Sequence, residues 1–336
     1  MKHANVALFI PHNGCPHQCS FCSQHSITGQ QYQPTAQDVK EAAERAKCTL
    51  RGNASDAELA FFGGSFTAID RGYMLSLLEA AFPYVEDGTF SGIRISTRPD
   101  AIDPETLTLL RQYGVTAVEL GAQSMDDVVL KKNRRGHTAQ DVASASGMIH
   151  QFGFSLGLQM MTGLYGDSIS GAKATARMLA ELEPDTVRIY PTIIMRGTEL
   201  GQRYLNGEYQ TLSLEETVAL CSELLLFFEE RGIAVIRLGL HDTPELRRDM
   251  LAGPWHPAFR ELCESRLYLN QFQKYLTDHP SQKREITIFV APQGLSKAVG
   301  QKKQNLALLA QMGYNSCLLY TSRQRQSKNI SVPVMT

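Results

Sequence analysis

Apolar residues gather along the chain in short runs that end in glycine, proline or polar residues, and the stretches between runs carry apolar residues at helical spacing. Val6-Ala7-Leu8-Phe9-Ile10 is the first run, and short apolar runs bounded by turn residues fit buried strands. Residues 5–11, 58–62, 92–97, 117–121, 155–161 and 186–192 are the candidate strands, and residues 233–240 form another strand-like run. Regular alternation of strand and helix predicts a parallel sheet. Six such units predict an α/β fold shaped as an open, partial (β/α)6 barrel. Helix starts are also legible. Thr35-Ala36-Gln37-Asp38 offers a hydroxyl cap and an early acid, and Asp103-Pro104-Glu105 places proline in a first turn. A core domain is expected over residues 1–240, a small α/β C-terminal extension over 241–315, and a polar, unordered tail over 316–336. In barrels of this kind the chemistry sits at the carboxyl ends of the strands.

Composition changes this picture only in places. At 336 residues and 43% apolar side chains, the chain can bury a large core. Its net charge of −1 sets up no global attraction for nucleic acid or membrane. Residues 281–328 depart from that balance, with eight basic side chains against one acid, Glu285, a formal +7, and within them residues 286–292, 294 and 296–312 read as strand, turn and helix. Such a patch suits RNA phosphates, or balances acidic helices elsewhere. No run of about 18 apolar residues occurs, which argues against a membrane span. The chain runs from Met1 almost directly into the first strand, leaving no room for a secretory leader. With several unpaired cysteines expected, the reading is cytoplasmic.

The chemistry concentrates just after the first strand. Cys15, Cys19 and Cys22, three of seven cysteines, fall in one short loop. Closely spaced thiolates call for a shared soft partner, zinc or an iron–sulfur cluster. Disulfides fit poorly, since three is odd and the spacings are short. Zinc would take the three cysteines and one of His12, His17 or His25, although its ligands usually arrive from two separated knuckles. Cys48, Cys221 and Cys263 have no neighbouring cysteine in sequence and read as buried or bystander thiols.

The pattern Cys-x3-Cys-x-Phe-Cys after a first strand resembles the cluster loop of the radical S-adenosylmethionine (SAM) enzymes. That resemblance implies a partial radical SAM barrel. It also implies a [4Fe–4S] cluster on Cys15, Cys19 and Cys22, with one iron left for S-adenosyl-L-methionine. Later segments continue it, in a form similar to the catalytic subunit of Elongator but without its acetyltransferase domain. In Phe61-Phe62-Gly63-Gly64-Ser65-Phe66-Thr67, Gly63 and Gly64 match the motif that holds the methionine amino group. Ile95-Ser96-Thr97-Arg98-Pro99-Asp100 resembles a stretch in which the Elongator subunit has glutamate where this chain has Ser96. Gln123 and Arg134 match positions that contact SAM in oxygen-independent coproporphyrinogen oxidase, and Gln159 stands where that enzyme has a cofactor-contacting aspartate. Tyr190 and Arg196 are expected on the substrate side of the barrel mouth. Read without the resemblance, the run Lys131-Lys132-Asn133-Arg134-Arg135 is a solvated basic stretch, Arg98 belongs to a surface ion pair, and His241, Asp242 and His256 are ordinary polar residues.

Three roles stay open at this point. The resemblance and the basic C-terminal region imply an RNA-modifying enzyme acting on tRNA. A small-molecule enzyme in the manner of the porphyrin oxidase is the second role, and a non-catalytic iron–sulfur or zinc module is the third. The two enzymatic readings imply an electron donor such as flavodoxin or ferredoxin. No residue is assigned to hydrogen abstraction or proton transfer.

Overall fold

The computed structural model describes residues 4–11, 13, 15, 19–23, 26, 32–50, 53–279, 285–314, 316–321 and 330–331. Contacts divide the chain into two units, Met1–Ser213 with Phe228–Trp255, and Leu214–Phe227 with His256–Thr336. Residue 240, where the sequence pattern changes, lies inside the first unit.

The first unit is built on β1 (Ala4–Ile10), β2 (Ala57–Gly63), β3 (Gly92–Thr97), β4 (Val115–Gln123), β5 (Ser155–Thr162), β6 (Thr186–Pro191), a short β7 (Ile194–Met195) and β8 (Ala234–Leu238). Seven of these form one sheet in the order β1-β2-β3-β4-β5-β6-β8. Every neighbouring pair is parallel, and the sheet curls into a half-barrel. The six strands expected from the chain are joined by a seventh, β8, which pairs with β6 from Thr186↔Ala234 to Ile189↔Leu238. β7 pairs antiparallel with β9 (Met250–Ala252) outside this sheet.

Local capping starts the intervening helices where the sequence places them. Thr35 and Asp38 form a reciprocal capping box ahead of Ala36–Thr49, and Thr138 and Asp141 form another ahead of Ala139–Gln151. Asp103 accepts from Thr106 N at 2.8 Å and opens Pro104–Gln112.

Side chains alternate along each strand. One set, including Phe61, Ile95, Leu120, Leu158 and Ile189, is fully buried and apolar. The other set carries charge. Arg94 Nε donates to Glu58 Oε2 at 2.7 Å and its Nη1 to Glu119 Oε1 at 3.2 Å. Arg188 then grips Glu119 with both Nε and Nη2, at 2.6 and 2.8 Å. The guanidinium also lies 4.8 Å from the Phe62 ring centroid. Burial alone would pull the Arg188 pKa down, but the Glu119 carboxylate outweighs it and holds the group above its usual range.

In the second unit, β10 (Glu285–Val290) pairs in parallel with β11 (Ser316–Thr321) and with β12 (Ile330–Ser331). The expected unordered tail therefore contains two strands, since the apolar run 317–320 has a partner in β10 that local polarity does not reveal. Residues 322–329 and 332–336 of that tail lie outside the described residues. Leu269, Phe272 and Leu276 of the helix Phe259–Asp278 pack with Ile286, Ile288 and Leu309. Residues 296–312, read as one helix, are two: Leu295–Val299 and Gln304–Gln311. Gly300, Lys302 and Lys303 all take positive φ between them, and Asn305 Nδ2 donates to Ser265 O at 3.0 Å and to Ala298 O at 3.1 Å across the break. Lys283, Arg284, Arg323, Arg325 and Lys328 of the basic segment lie outside the described residues. Among the described residues no helix is long and apolar enough to cross a membrane.

The side chains of Glu58, Arg94 and Glu119 are 9%, 4% and 3% exposed, so each charge depends on its partners. Glu119→Ala would leave two guanidiniums facing one another. It is expected to lower the unfolding free energy by about 3–5 kcal/mol, measured by urea denaturation. A loss below about 1 kcal/mol, the scale of a solvated surface pair, would show that water already screens the ladder.

Candidate active site

A cavity of about 620 Å³ runs along the charged side of the sheet. Cys15, Cys19 and Cys22 line it together with Gly63, Gly64, Ser96, Gln123 and Gln159. The parallel sheet is what brings them together, because β2, β3, β4 and β5 all end at one rim.

The cysteine loop is tied down on several sides. Ser20 N donates to Asn133 O at 3.1 Å, Ser20 Oγ to Asn133 Oδ1 at 2.9 Å, and Leu200 N to Ser20 O at 2.7 Å. Cys22 N donates to Cys19 O at 3.1 Å. Cys19 is buried, and Arg135 Nη1 donates to its sulfur at 3.1 Å while Nη2 donates to Gly121 O at 2.5 Å. Burial first, and the Cys19 thiol second, push the Cys15 pKa above its usual value, with Arg98 and Arg135 pulling the other way. A thiol that resists ionisation in this way becomes a thiolate readily once a metal cation is its partner.

Gly63 and Gly64 are required by the backbone itself. Gly63 has φ +107°, and a Cβ on Gly64 would lie 2.0 Å from Asn13 O and 2.7 Å from Ile10 O. Gly64 N donates to Ile10 O at 2.7 Å and Ser65 N to Asn13 O at 3.0 Å. The glycines thus clamp the entry to the cysteine loop, a use that their sequence setting does not disclose.

Beyond the glycines, Ser65 Oγ and Thr67 Oγ1 both meet Thr97 Oγ1, at 2.8 and 2.6 Å. Ser65 Oγ accepts from Arg98 N at 3.1 Å. Arg98, read from sequence as a surface partner, is buried and bonds both oxygens of Asp100 at 2.9 and 2.8 Å. Gln159 Nε2 donates to Gln123 Oε1 at 3.3 Å, so the two carboxamides form one polar element. Met160 is core, whereas Met161 lines the cavity, as strand alternation requires.

Arg134 is not brought to the cavity. It takes φ +54°, its side chain is 65% exposed, and Nε lies 2.7 Å from Glu199 Oε2. The left-handed turn sends Arg134 outward and Arg135 inward, so the cavity-lining arginine is the next residue in the same basic run. Tyr190 lines the cavity, but Arg196 is exposed. His241 and Asp242 also line it, together with Glu119, Arg188 and Arg237, none of which carries a motif. His12, His17 and His25, the candidate fourth zinc ligands, lie outside the described residues.

Residues 9–179, about half the chain, match the Radical SAM superfamily, and residues 184–268 match a Radical SAM C-terminal domain. The chain belongs to the radical SAM superfamily. It is 28% identical over 248 residues to an uncharacterized protein of Methanocaldococcus jannaschii, covering 73% of each chain. It is 29% identical over 237 residues to the tRNA uridine(34) acetyltransferase of Dehalococcoides mccartyi, covering 61% of this chain and 52% of that one. The chain therefore spans about half the length of that curated relative. Its fold superposes on the archaeal Methanocaldococcus infernus Elp3 lacking residues 1–46 with a TM-score of 0.61, at 21% identity, covering 85% of this chain and 66% of that chain.

Radical SAM enzymes use a four-iron cluster and SAM, and the residues here fit both. Among the described residues no three His, Cys, Asp or Glu side chains stand close enough to share a single ion. A cluster offers each thiolate its own iron corner, and Cys15, Cys19 and Cys22 all line the same cavity.

Because a Cβ at position 64 would meet backbone rather than a flexible side chain, Gly64→Ala is expected to cost about 1–3 kcal/mol of stability. Thermal unfolding and iron content after anaerobic reconstitution should both fall. Unchanged values would mean that the loop entry is free to move away from β2.

Proposed function

We propose that this chain is a SAM-cleaving enzyme that holds a [4Fe–4S] cluster on Cys15, Cys19 and Cys22 and acts on tRNA. The observation that carries the reading is that three thiols line one cavity together with Gly63, Gly64, Ser96 and the Gln123–Gln159 carboxamide pair. Cys15, Cys19 and Cys22 would hold the cluster, which when bound supplies the one-electron reduction that cleaves SAM. The protein's share is placement. The carboxamide pair offers both donors and acceptors to a bound ligand. Arg98 and Arg135 put two fixed cations beside the thiols, suited to a ligand carboxylate.

The tRNA substrate is supported by the names of relatives such as the Dehalococcoides acetyltransferase. A cytoplasmic setting and an electron donor of the flavodoxin or ferredoxin kind belong to the same reading. A cavity of about 620 Å³ is also of a size that favours a second reading, in which the reacting substrate is a small molecule.

Anaerobic reconstitution is expected to give about four irons per chain, with 5′-deoxyadenosine formed from SAM under reduction. Cys15→Ala, Cys19→Ala and Cys22→Ala should each abolish product and lower iron content. One zinc and no iron in the wild type would replace the enzyme reading by a structural module. Product formation stimulated by tRNA and weakened steeply by salt supports the RNA substrate. Stimulation by a nuclease-treated metabolite extract points to the small molecule instead.

A further inference from the structure

The turn after the helix Asp127–Lys132 is fastened to the cysteine loop. Asn133 O and Asn133 Oδ1 accept from Ser20 N and Ser20 Oγ at 3.1 and 2.9 Å. Two residues on, Arg135 Nη1 donates to Cys19 Sγ at 3.1 Å. The same guanidinium is turned by Nη2 donating to Gly121 O at 2.5 Å, while Nε is buried without a hydrogen-bond partner among the described residues. Arg135 and Cys19 are both buried, so the N–H···S bond is made away from bulk water. Backbone sign sets it up: Arg134 takes φ +54°, and Arg135 N donates to Leu130 O at 3.0 Å. A buried cation carries a desolvation cost that a neutral side chain of similar volume would avoid. Its fixed aim at one sulfur therefore calls for a use.

We infer that Arg135 sets the reduction potential of the cluster, raising it through the hydrogen bond to the Cys19 sulfur. This rests on the reading that Cys15, Cys19 and Cys22 hold a [4Fe–4S] cluster, and Cys19 Sγ, a thiol here, stands for the thiolate at one iron corner. Reduction makes the cluster and its thiolates more negative by one charge. A donor on a ligand sulfur favours that more negative state, which is why hydrogen bonds to the sulfurs tune iron–sulfur potentials. The guanidinium is charged at every working pH, and the low local dielectric strengthens its pull. A higher potential eases loading of an electron from an outside donor and leaves less drive for cleaving SAM. Arg135 thus balances the two steps against each other.

The potential is read on full-length protein reconstituted anaerobically without SAM, by redox titration followed with electron paramagnetic resonance, so turnover plays no part. Arg135→Gln is expected to lower the midpoint by about 59 mV or more, a tenfold fall in the reduced-to-oxidised ratio at a fixed poise. Arg71→Ala, which removes a surface guanidinium paired with Glu105, should titrate as wild type does. Direction separates tuning from mere support of the loop. A loop loosened by the substitution would admit water, and water favours the more negative cluster and raises the potential. An unchanged or raised midpoint in Arg135→Gln therefore overturns the inference. If Arg135→Gln assembles no cluster, Arg135→Lys takes its place, because an ammonium keeps the charge but lacks the rigid fork that bonds sulfur and Gly121 O together. A lower midpoint then supports the inference, and an equal or higher one overturns it. Loss of the cluster from both variants also overturns it, since Arg135 would then act as a structural support. Failure of wild type to take up about four irons per chain is a different result, read as iron content before any titration, and it overturns the cluster reading and this inference together.

Discussion

Glu119 holds two guanidiniums at once, and the charged side of the sheet depends on that arrangement. Parallel sheets usually bury apolar residues on both faces. Here one face instead carries Glu58, Arg94, Glu119 and Arg188 in an alternating series from β2 through β3 and β4 to β6. Ions removed from water must be paired to be tolerated. The series meets that condition, and it ties four strands together, with Glu119 and Arg188 lining the cavity. Its consequence for function is a polar wall whose groups are already committed to fixed positions.

Strand direction supplies the second constraint. With every strand of the main sheet parallel, segments far apart in sequence end at one rim. Cysteines after β1 thereby share a cavity with glycines and hydroxyls at the ends of β2 and β3 and with carboxamides of β4 and β5. The closest of these approaches, Gly64 against Ile10 and Asn13, leaves no space for a methyl group. Packing of the sheet and presentation of the thiols are therefore one geometric requirement.

The parts of this architecture legible in the sequence are those set locally. Apolar runs marked the strands, and Thr35, Asp103 and the cysteine spacing marked helix starts and a metal-type loop, because each signal lies within a few residues. What stayed hidden depends on distant partners or on backbone sign. β11 reads as part of a polar tail until β10 pairs with it, and a helical pattern over 296–312 does not reveal a break at Gly300. Arg134 and Arg135 are indistinguishable in a basic run. The left-handed turn at position 134 decides which of them enters the cavity. Arg188 and Glu119, 69 residues apart, carry no shared motif at all.

Preorganisation connects these points. Each guanidinium lining the cavity is held by a second group: Arg98 by Asp100, Arg135 by Gly121 O, Arg188 by Glu119 and Arg237 by Gly239 O. A mobile arginine would lose side-chain entropy when a ligand arrived, and would first have to shed its own water. An anchored one has met those costs during folding, so more of its attraction is left for the ligand. The anchors also differ in kind. Arg98 and Arg188 each meet a carboxylate, and Arg135 and Arg237 each donate to a backbone carbonyl that fixes the direction of the guanidinium.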